Sequence, residues 1–362
     1  MHTAIIIGTR PEIIKTSPLI KKLHHLKFPF LVIHTGQHYS ENMDAVFFTQ
    51  LNLPQPDIRI NVGSGSHGEQ TGRCLEALER ILTKRQPEVI LVQGDTNTVL
   101  AGALAASKLN IKIGHIEAGL RSYDRSMPEE INRVIADHLS YYLFAPTKLS
   151  KDNLYKEGIT KNVFVTGNTI VEALKENIKM AEEQINDEIF KRFKIEKGKF
   201  FLMTLHRQEN VDNKQKLEQI ILGINDVVKK FNMPVIFPVH PRTVKNFKRF
   251  KFNKILEKIT LTEPLGYFEF LKLQKYACLI LTDSGGLQEE SCILRIPCVT
   301  LRENTERPET LNVGSNLLAG WQREKILSSV CKMINLEKKW KHPFGNGKTS
   351  DRIINIITKE KI

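Results

Sequence analysis

Cysteine, tryptophan and long apolar runs are scarce in this chain of 362 residues, which holds five cysteines and two tryptophans. The cysteines (Cys74, Cys278, Cys292, Cys298 and Cys331) are odd in number and form no CxxC pair, which argues against a disulfide framework and a structural zinc site. No stretch approaches the ~20 apolar residues of a membrane span. The first residues, MHTAIIIG, run straight into a strand pattern without a signal-peptide layout, so the expected location is the cytoplasm and no membrane partner is expected. Three catalytic motifs are missing as well. Without HExxH there is no zincin-type metal site. Without GxSxG there is no nucleophile elbow. Without GxGxxG after the first strand, a nicotinamide reading loses its main support. No metal and no cofactor are expected.

What the chain has in excess is positive charge, +13 in formal net terms. Such a balance suits nucleic acid, a membrane surface or a small phosphorylated ligand. The densest basic segment, RTVKNFKRFKFNK from Arg242 to Lys254, interleaves Phe with Lys and Arg. It reads either as a nucleic-acid platform or as a helix with a wet basic face and Phe in the core. No recognised nucleic-acid module accompanies it, so the second reading is adopted and no nucleic-acid partner is expected.

Short apolar runs bounded by Gly and polar loops alternate with helical patterns along the whole chain. Examples are AIIIG, FLVIHTG, VILVQGD and KIGHIEAG in the first half, and FFLMTLH, PVIFPVH and CLILTD in the second. This is the pattern of parallel sheets covered on both faces, an α/β class with two Rossmann-like domains. The expected domains are 1–167, 168–340, and a C-terminal helix within 341–362 packing back on the first domain.

Ligands of open parallel sheets bind beyond the carboxyl ends of the strands. Here nearly every strand ends in a polar residue: Arg10, His38, Asp95, Glu117, His206, His240, Asp283 and Arg302. Their number, in both halves, suggests a cleft between two facing domains. LTDSGGLQEES (Leu281 to Ser291) leaves a strand and enters a helix. Ser284, Gly285 and Gly286 would offer unpaired amides and the positive end of the helix dipole to a phosphate. Glu290, a turn later, would reach a ribose diol. A plain N-cap at Ser284 explains the same residues. In GTRPEIIK, Arg10 and Lys15 suit a phosphate or a surface. In RENTERPET, Arg302 and Arg307 suit a phosphate or solvated ion pairs. The segment from His115 to His138 gathers Glu117, Glu129, Glu130 and Arg133 near Asp95. That is the material of an acid–base set, or of a structural ion-pair network. Glu129 and Arg133, four apart, share a helix face.

Taken in order, GTRPEIIK, TGQH, QGDTNT, HIEAGLRS, PEEINR, VTGN, DSGGLQEE and RENTERPE resemble the non-hydrolysing UDP-N-acetylglucosamine 2-epimerases, from about Ile5 to Gly320. The resemblance implies the glycosyltransferase-B architecture, a homodimer, and reversible conversion of UDP-N-acetylglucosamine to UDP-N-acetylmannosamine, which feeds polysaccharide synthesis. It implies elimination of UDP to a 2-acetamidoglucal and re-addition, with no redox cofactor. Asp95, Glu117 and Glu129 match its acid–base positions, with Arg133 orienting Glu129 and His206 beside the reacting centre. Ser284, Gly285 and Gly286 would hold the diphosphate, Glu290 the ribose and Phe270 the uracil. Arg10, Lys15 and Arg307 would lie near the phosphates. Gln37, His38, Gln70, Arg207 and His240 match an activator site for a second UDP-N-acetylglucosamine, although Ser40 and Glu69 depart from it. The nearest alternatives are a hydrolysing epimerase, which releases N-acetylmannosamine and UDP, and a UDP-sugar glycosyltransferase.

Overall fold

The computed structural model describes residues 2–37, 41–252, 256 and 259–359. The chain forms two compact units, Met1–Ala173 with Phe344–Ile362, and Leu174–Pro343.

The first unit is built on a seven-stranded sheet. Its strands are β1 (Thr3–Ile7), β2 (Phe30–His34), β3 (Ile58–Arg59), β4 (Val89–Gln93), β5 (Lys112–Ile116), β6 (Tyr142–Ala145) and β7 (Val163–Val165). All pairings are parallel, in the order β3-β2-β1-β4-β5-β6-β7. The order reverses between β1 and β4, which is where an open sheet leaves a crevice at its carboxyl edge. The second unit repeats the plan with β8 (Phe201–Thr204), β9 (Val235–Pro238), β10 (Ile259–Thr262), β11 (Leu279–Thr282), β12 (Cys298–Thr300) and β13 (Asn316–Leu318). Its order is β10-β9-β8-β11-β12-β13, again parallel, with the reversal between β8 and β11.

The continuous apolar runs of the sequence follow from burial on both faces. Phe201 and Met203 point into a core with Leu217, Ile220 and Ile224 of the helix Lys214–Phe231. Phe200 and Leu202 point the other way, onto Ile189, Phe190 and Ile236. Alternate residues of one strand thus serve two cores, and the polar residues that leave the strands collect at the carboxyl edge.

The helix Arg10–His25 opens with Pro near its start, where the missing N–H costs nothing. Pro18 lies within it and deprives the Ile14 carbonyl of its amide partner. The Ser17 hydroxyl donates to that carbonyl at 2.7 Å, so the helix passes through Pro18 with the carbonyl satisfied. The helix Pro241–Phe250 carries the basic segment. Thr243, Asn246 and Phe247 are buried, and Lys245, Lys248 and Arg249 face solvent. Arg242 pairs with Asp212. That is the wet-face arrangement, with Phe in the core.

The five cysteines are free thiols. Burial pushes Cys74, Cys278 and Cys298 up to about 12, which leaves them protonated and unreactive at neutral pH. Among the described residues no helix is long and apolar enough to cross a membrane, and no group of three His, Cys, Asp or Glu residues could hold a metal ion.

Candidate active site

In the first unit the polar strand ends converge at the switch between β1 and β4. Backbone pairing sets Gln93 of β4 beside Ile116 of β5, so Asp95 and Glu117 leave adjacent strands, which lie ~4.8 Å apart. A Cβ placed on Gly94 would sit 3.9 Å from Glu117 Oε2, so the Glu117 carboxylate borders the peptide leading to Asp95. Glu117 holds a left-handed backbone, φ 72°, a costly conformation for a non-glycine residue and one concentrated at functional sites. It is 4% exposed, accepts from Lys15 Nζ at 2.5 Å and from Asn168 Nδ2 at 2.8 Å. Lys15 is itself buried. Its ammonium is the counter-charge of Glu117, where the sequence suggested a phosphate.

Arg133, on the helix Pro128–Leu139, bridges Asp95 and Glu130. The i,i+4 spacing pointed to Glu129; these two ion pairs run to Glu130, at i,i+3, and across to the strand end. Glu130 is buried and further held by the Ser122 and Tyr123 amides, each at 2.9 Å, and the Ser122 hydroxyl at 2.8 Å. With its lone pairs taken up this way, Glu130 works as a support for Arg133. Glu129 precedes it in the first turn of the same helix, half-buried. Arg10 is exposed, its guanidinium 5.5 Å from the centre of the Phe47 ring.

Glu12 is a carboxylate that the sequence reading did not single out. It accepts from the Gly8 and Thr9 amides, each at 2.7 Å, from the Thr9 hydroxyl at 3.1 Å and from Thr96 Oγ1 at 2.6 Å. It therefore ties the β1 exit to the residue after Asp95. The Thr9–Glu12 capping-box spacing was the available signal. Gly8 leaves no room for a side chain there: a Cβ would lie 2.2 Å from Thr98 Oγ1 and 2.3 Å from Thr35 Oγ1. Burial, opposed by these hydrogen bonds, pushes Glu12 up to about 7 from 4.5. A carboxyl raised on folding favours the folded state most below the unfolded value, and that contribution is lost as pH rises towards the folded value. Urea midpoints of the wild type should fall, relative to Glu12→Gln, as pH rises from about 4.5 to 7. Parallel pH curves would show that folding leaves the proton affinity of Glu12 unchanged.

Of the five residues matched to an activator site, Gln37 and Gln70 join one amide cluster. Gln37 Nε2 donates to Gln70 Oε1 at 2.9 Å, and Thr98 Oγ1 donates to Gln37 Oε1 at 3.0 Å. Asn97 Nδ2 donates to Gln70 Oε1 at 2.8 Å. Asn132 Nδ2 donates to Asn97 Oδ1 at 3.2 Å and to the Asp95 carbonyl at 3.0 Å. His38 and Ser40 lie outside the described residues. Glu69 is occupied as the acceptor of a capping box, taking the Ser66 amide at 2.9 Å and hydroxyl at 3.0 Å.

In the second unit, Asp283 at the β11 exit is fully buried. It accepts from the amides of His206 at 3.0 Å and Arg207 at 2.8 Å, and its Oδ1 lies 3.2 Å from His206 Nδ1. The His206 side chain, 41% exposed, is thereby oriented by a shielded carboxylate. Arg207 lies 3.7 Å from Glu306. His240 accepts the Arg242 amide on Nδ1 at 3.2 Å and caps its helix; its ring centre lies 6.2 Å from that of His206.

Ser284 precedes the helix Gly285–Leu294 and makes no side-chain capping bond. It holds the N-cap position without the hydroxyl bond that a plain N-cap makes. Gly285 is buried against Glu306, while Ser284 and Gly286 are half-exposed. The adjacent glutamates separate clearly. Glu289 is buried and pairs with Arg307 Nε at 2.8 Å; Glu290 is half-exposed. Arg307 is accordingly interior, 4% exposed, where the sequence placed it near phosphate. Arg302 is buried as well, with Nη1 2.8 Å from Glu306 Oε2. Burial first, and then Glu290, hold the Tyr267 phenol above its ordinary value. The phenol oxygen accepts from Asn177 Nδ2 at 3.1 Å. Phe270 is half-buried against the core beneath.

The first unit therefore offers two carboxylates, each paired with a buried cation, and the second a helix N-terminus without a side-chain cap beside an oriented histidine. Comparison with known proteins gives this arrangement a context. Residues 21–358 match the family model described as UDP-N-acetylglucosamine 2-epimerase. A UDP-N-acetylglucosamine 2-epimerase of Methanocaldococcus jannaschii is 55% identical, with 100% of each chain covered. One of Methanococcus maripaludis is 57% identical, covering 99% of this chain and 98% of its own. A crystal structure of the M. jannaschii UDP-GlcNAc 2-epimerase in complex with UDP-GlcNAc and UDP superposes with a TM-score of 0.92. It is 55% identical and covers 99% of this chain and 100% of its own. The architecture is the two-Rossmann-domain, glycosyltransferase-B class.

Proposed function

The chain belongs to the UDP-N-acetylglucosamine 2-epimerase family, and from that premise we propose that it interconverts UDP-N-acetylglucosamine and UDP-N-acetylmannosamine without hydrolysis. The observation that carries the reading is the pair Asp95 and Glu117 at adjacent strand ends, each paired with a buried cation, Arg133 and Lys15. The C2 proton of the sugar is not adjacent to a carbonyl, so its removal needs a leaving group. One carboxylate takes the C2 proton, the C–H electron pair becomes the C1–C2 double bond, and the C1–O bond breaks to release UDP. The return step adds UDP to the 2-acetamidoglucal and delivers a proton to the opposite face of C2. A base and an acid on opposite faces are required, and such assistance is worth ~10²–10⁴-fold. Asp95 and Glu117 are assigned to these roles, with Glu129 supporting.

The leaving diphosphate needs positive electrostatic potential. The amides of Ser284, Gly285 and Gly286 at the helix N-terminus supply it, with His206 and Arg10 adding charge or hydrogen bonds. Glu290 takes the ribose hydroxyls, and Phe270 the uracil. Gln37, Gln70, Arg207 and His240 are assigned to a second UDP-N-acetylglucosamine acting as activator, and the active species to a homodimer.

The test is proton NMR of the protein with UDP-N-acetylglucosamine in heavy water. UDP-N-acetylmannosamine with deuterium at C2 in both sugars is expected. Free N-acetylmannosamine with UDP would replace this reading by the hydrolysing one. UDP binding without turnover would replace it by a glycosyltransferase.

A further inference from the structure

His115, inside β5, is fully buried, and both of its ring nitrogens face acceptors. Nδ1 lies 2.7 Å from Asp137 Oδ1 and Nε2 lies 2.8 Å from the Gly94 carbonyl. A neutral imidazole carries one N–H and can satisfy only one of these; two donors require the imidazolium. Asp137 is held as a carboxylate, because its other oxygen lies 2.7 Å from Arg121 Nη1 and accepts the Gly119 amide at 3.1 Å. Arg121 in turn pairs with Glu157. The charged groups packed around His115 are therefore Asp137 from the helix Pro128–Leu139, Arg121 from the loop after Glu117, and Glu157 beyond it.

The atoms these groups hold are those on which the acid–base pair hangs. Gly94 is the residue before Asp95, and its amide donates to the Ile116 carbonyl, the residue before Glu117. Gly119 is two residues beyond Glu117. One end of the His115–Asp137 pair thus grips the Asp95 turn and the other grips the Glu117 turn.

We infer that His115 is a positioning residue, an imidazolium that with Asp137 sets the spacing and orientation of Asp95 and Glu117 across the sugar C2. The inference rests on the acid–base assignment above. It differs from a purely structural buried pair in what it does to the reaction: misplacing a catalytic group by about 1 Å costs ~10²-fold in turnover, while binding groups elsewhere are untouched.

The test has two arms. In protein labelled with ¹⁵N-histidine, long-range ¹H–¹⁵N spectra should show both His115 nitrogens protonated and unchanged from pH 6 to 9; a single unprotonated nitrogen overturns the inference. In the second arm His115→Gln, whose two N–H groups share one nitrogen and cannot span acceptors that face the two ring nitrogens, is assayed well below its melting temperature. Its kcat and its rate of deuterium entry at C2 should fall about 10²-fold, with KM and UDP affinity within about threefold of wild type. Unchanged kcat, or a parallel loss of UDP binding, overturns it. Should that variant not fold, Asp137→Asn serves: His115 becomes neutral in the spectra and kcat falls in the same way. Kinetics of the wild type come first. A wild type that binds UDP yet never exchanges C2 would remove the epimerase reading and the positioning role with it, while leaving the charge on His115 measurable by itself.

Discussion

Replacing Glu117 by Gln should cut turnover ~10²–10⁴-fold and destabilise the protein, while adding Lys15→Met should restore the stability alone. Glu117 and Lys15 form a buried ion pair at 2.5 Å. Removing one partner takes from the other its buried counter-charge, which costs about 3–5 kcal/mol. Neutralising both leaves no orphan charge, and such replacements are often near neutral in stability. Catalysis follows a different rule, because the acid–base carboxylate is absent from both the single and the double variant. Each should lose ~10²–10⁴-fold in kcat. Thermal denaturation and C2 deuterium exchange, measured on all three proteins, separate the two effects. A double variant that regains activity with its stability would show the pair to be scaffolding only.

The second large effect is at the helix N-terminus of the second unit, and it divides two neighbouring glycines. A Cβ on Gly285 would lie 2.1 Å from Glu306 Oε1. Glu306 cannot swing away freely, since it is buried and paired with the buried Arg302. Gly285→Ala should therefore cost about 1–3 kcal/mol through overpacking. A Cβ on Gly286 meets nothing nearer than Ser284 Oγ at 4.0 Å, so Gly286→Ala should fold as the wild type does. If the diphosphate approaches these amides, the added methyl occupies its path, and UDP affinity should fall at least about tenfold, or about 1.4 kcal/mol. Calorimetric titration with UDP checks this. Full affinity in Gly286→Ala would move the diphosphate away from this helix.

How far the sequence could be read follows from these residues. The α/β class was legible because strands buried on both faces read as apolar runs, as at Phe200 to Met203. That Asp95, Glu117 and Ser284 lie just past strand ends was legible because parallel strands deliver polar ends to one edge. The partners of those residues were not. Lys15 and Glu117 are 102 positions apart, so nothing local says that the lysine neutralises a carboxylate. Helical spacing and the resemblance both pointed Arg133 to Glu129, but nothing local announced its pairs with Glu130 and with Asp95, 38 positions away. The His115–Asp137 pair spans a strand and a helix, and a lone histidine inside an apolar run carries no mark of its charge. Glu12 was within reach through its capping box.

The chain passes from the first unit to the second after Ala173 and returns at Phe344. The returning segment is bound where the first unit left off: Asn168 donates its amide to the Phe344 carbonyl at 2.9 Å, and Thr349 and Arg352 donate to the Thr166 carbonyl at 3.1 and 2.6 Å. Asn168 is also a ligand of the Glu117 carboxylate. On the ribosome, therefore, the amino-terminal sheet emerges long before the last piece that buttresses it. The second unit is synthesised as an insertion, and the support behind Asn168, and through it Glu117, is completed only after Phe344, Thr349 and Arg352 have been made.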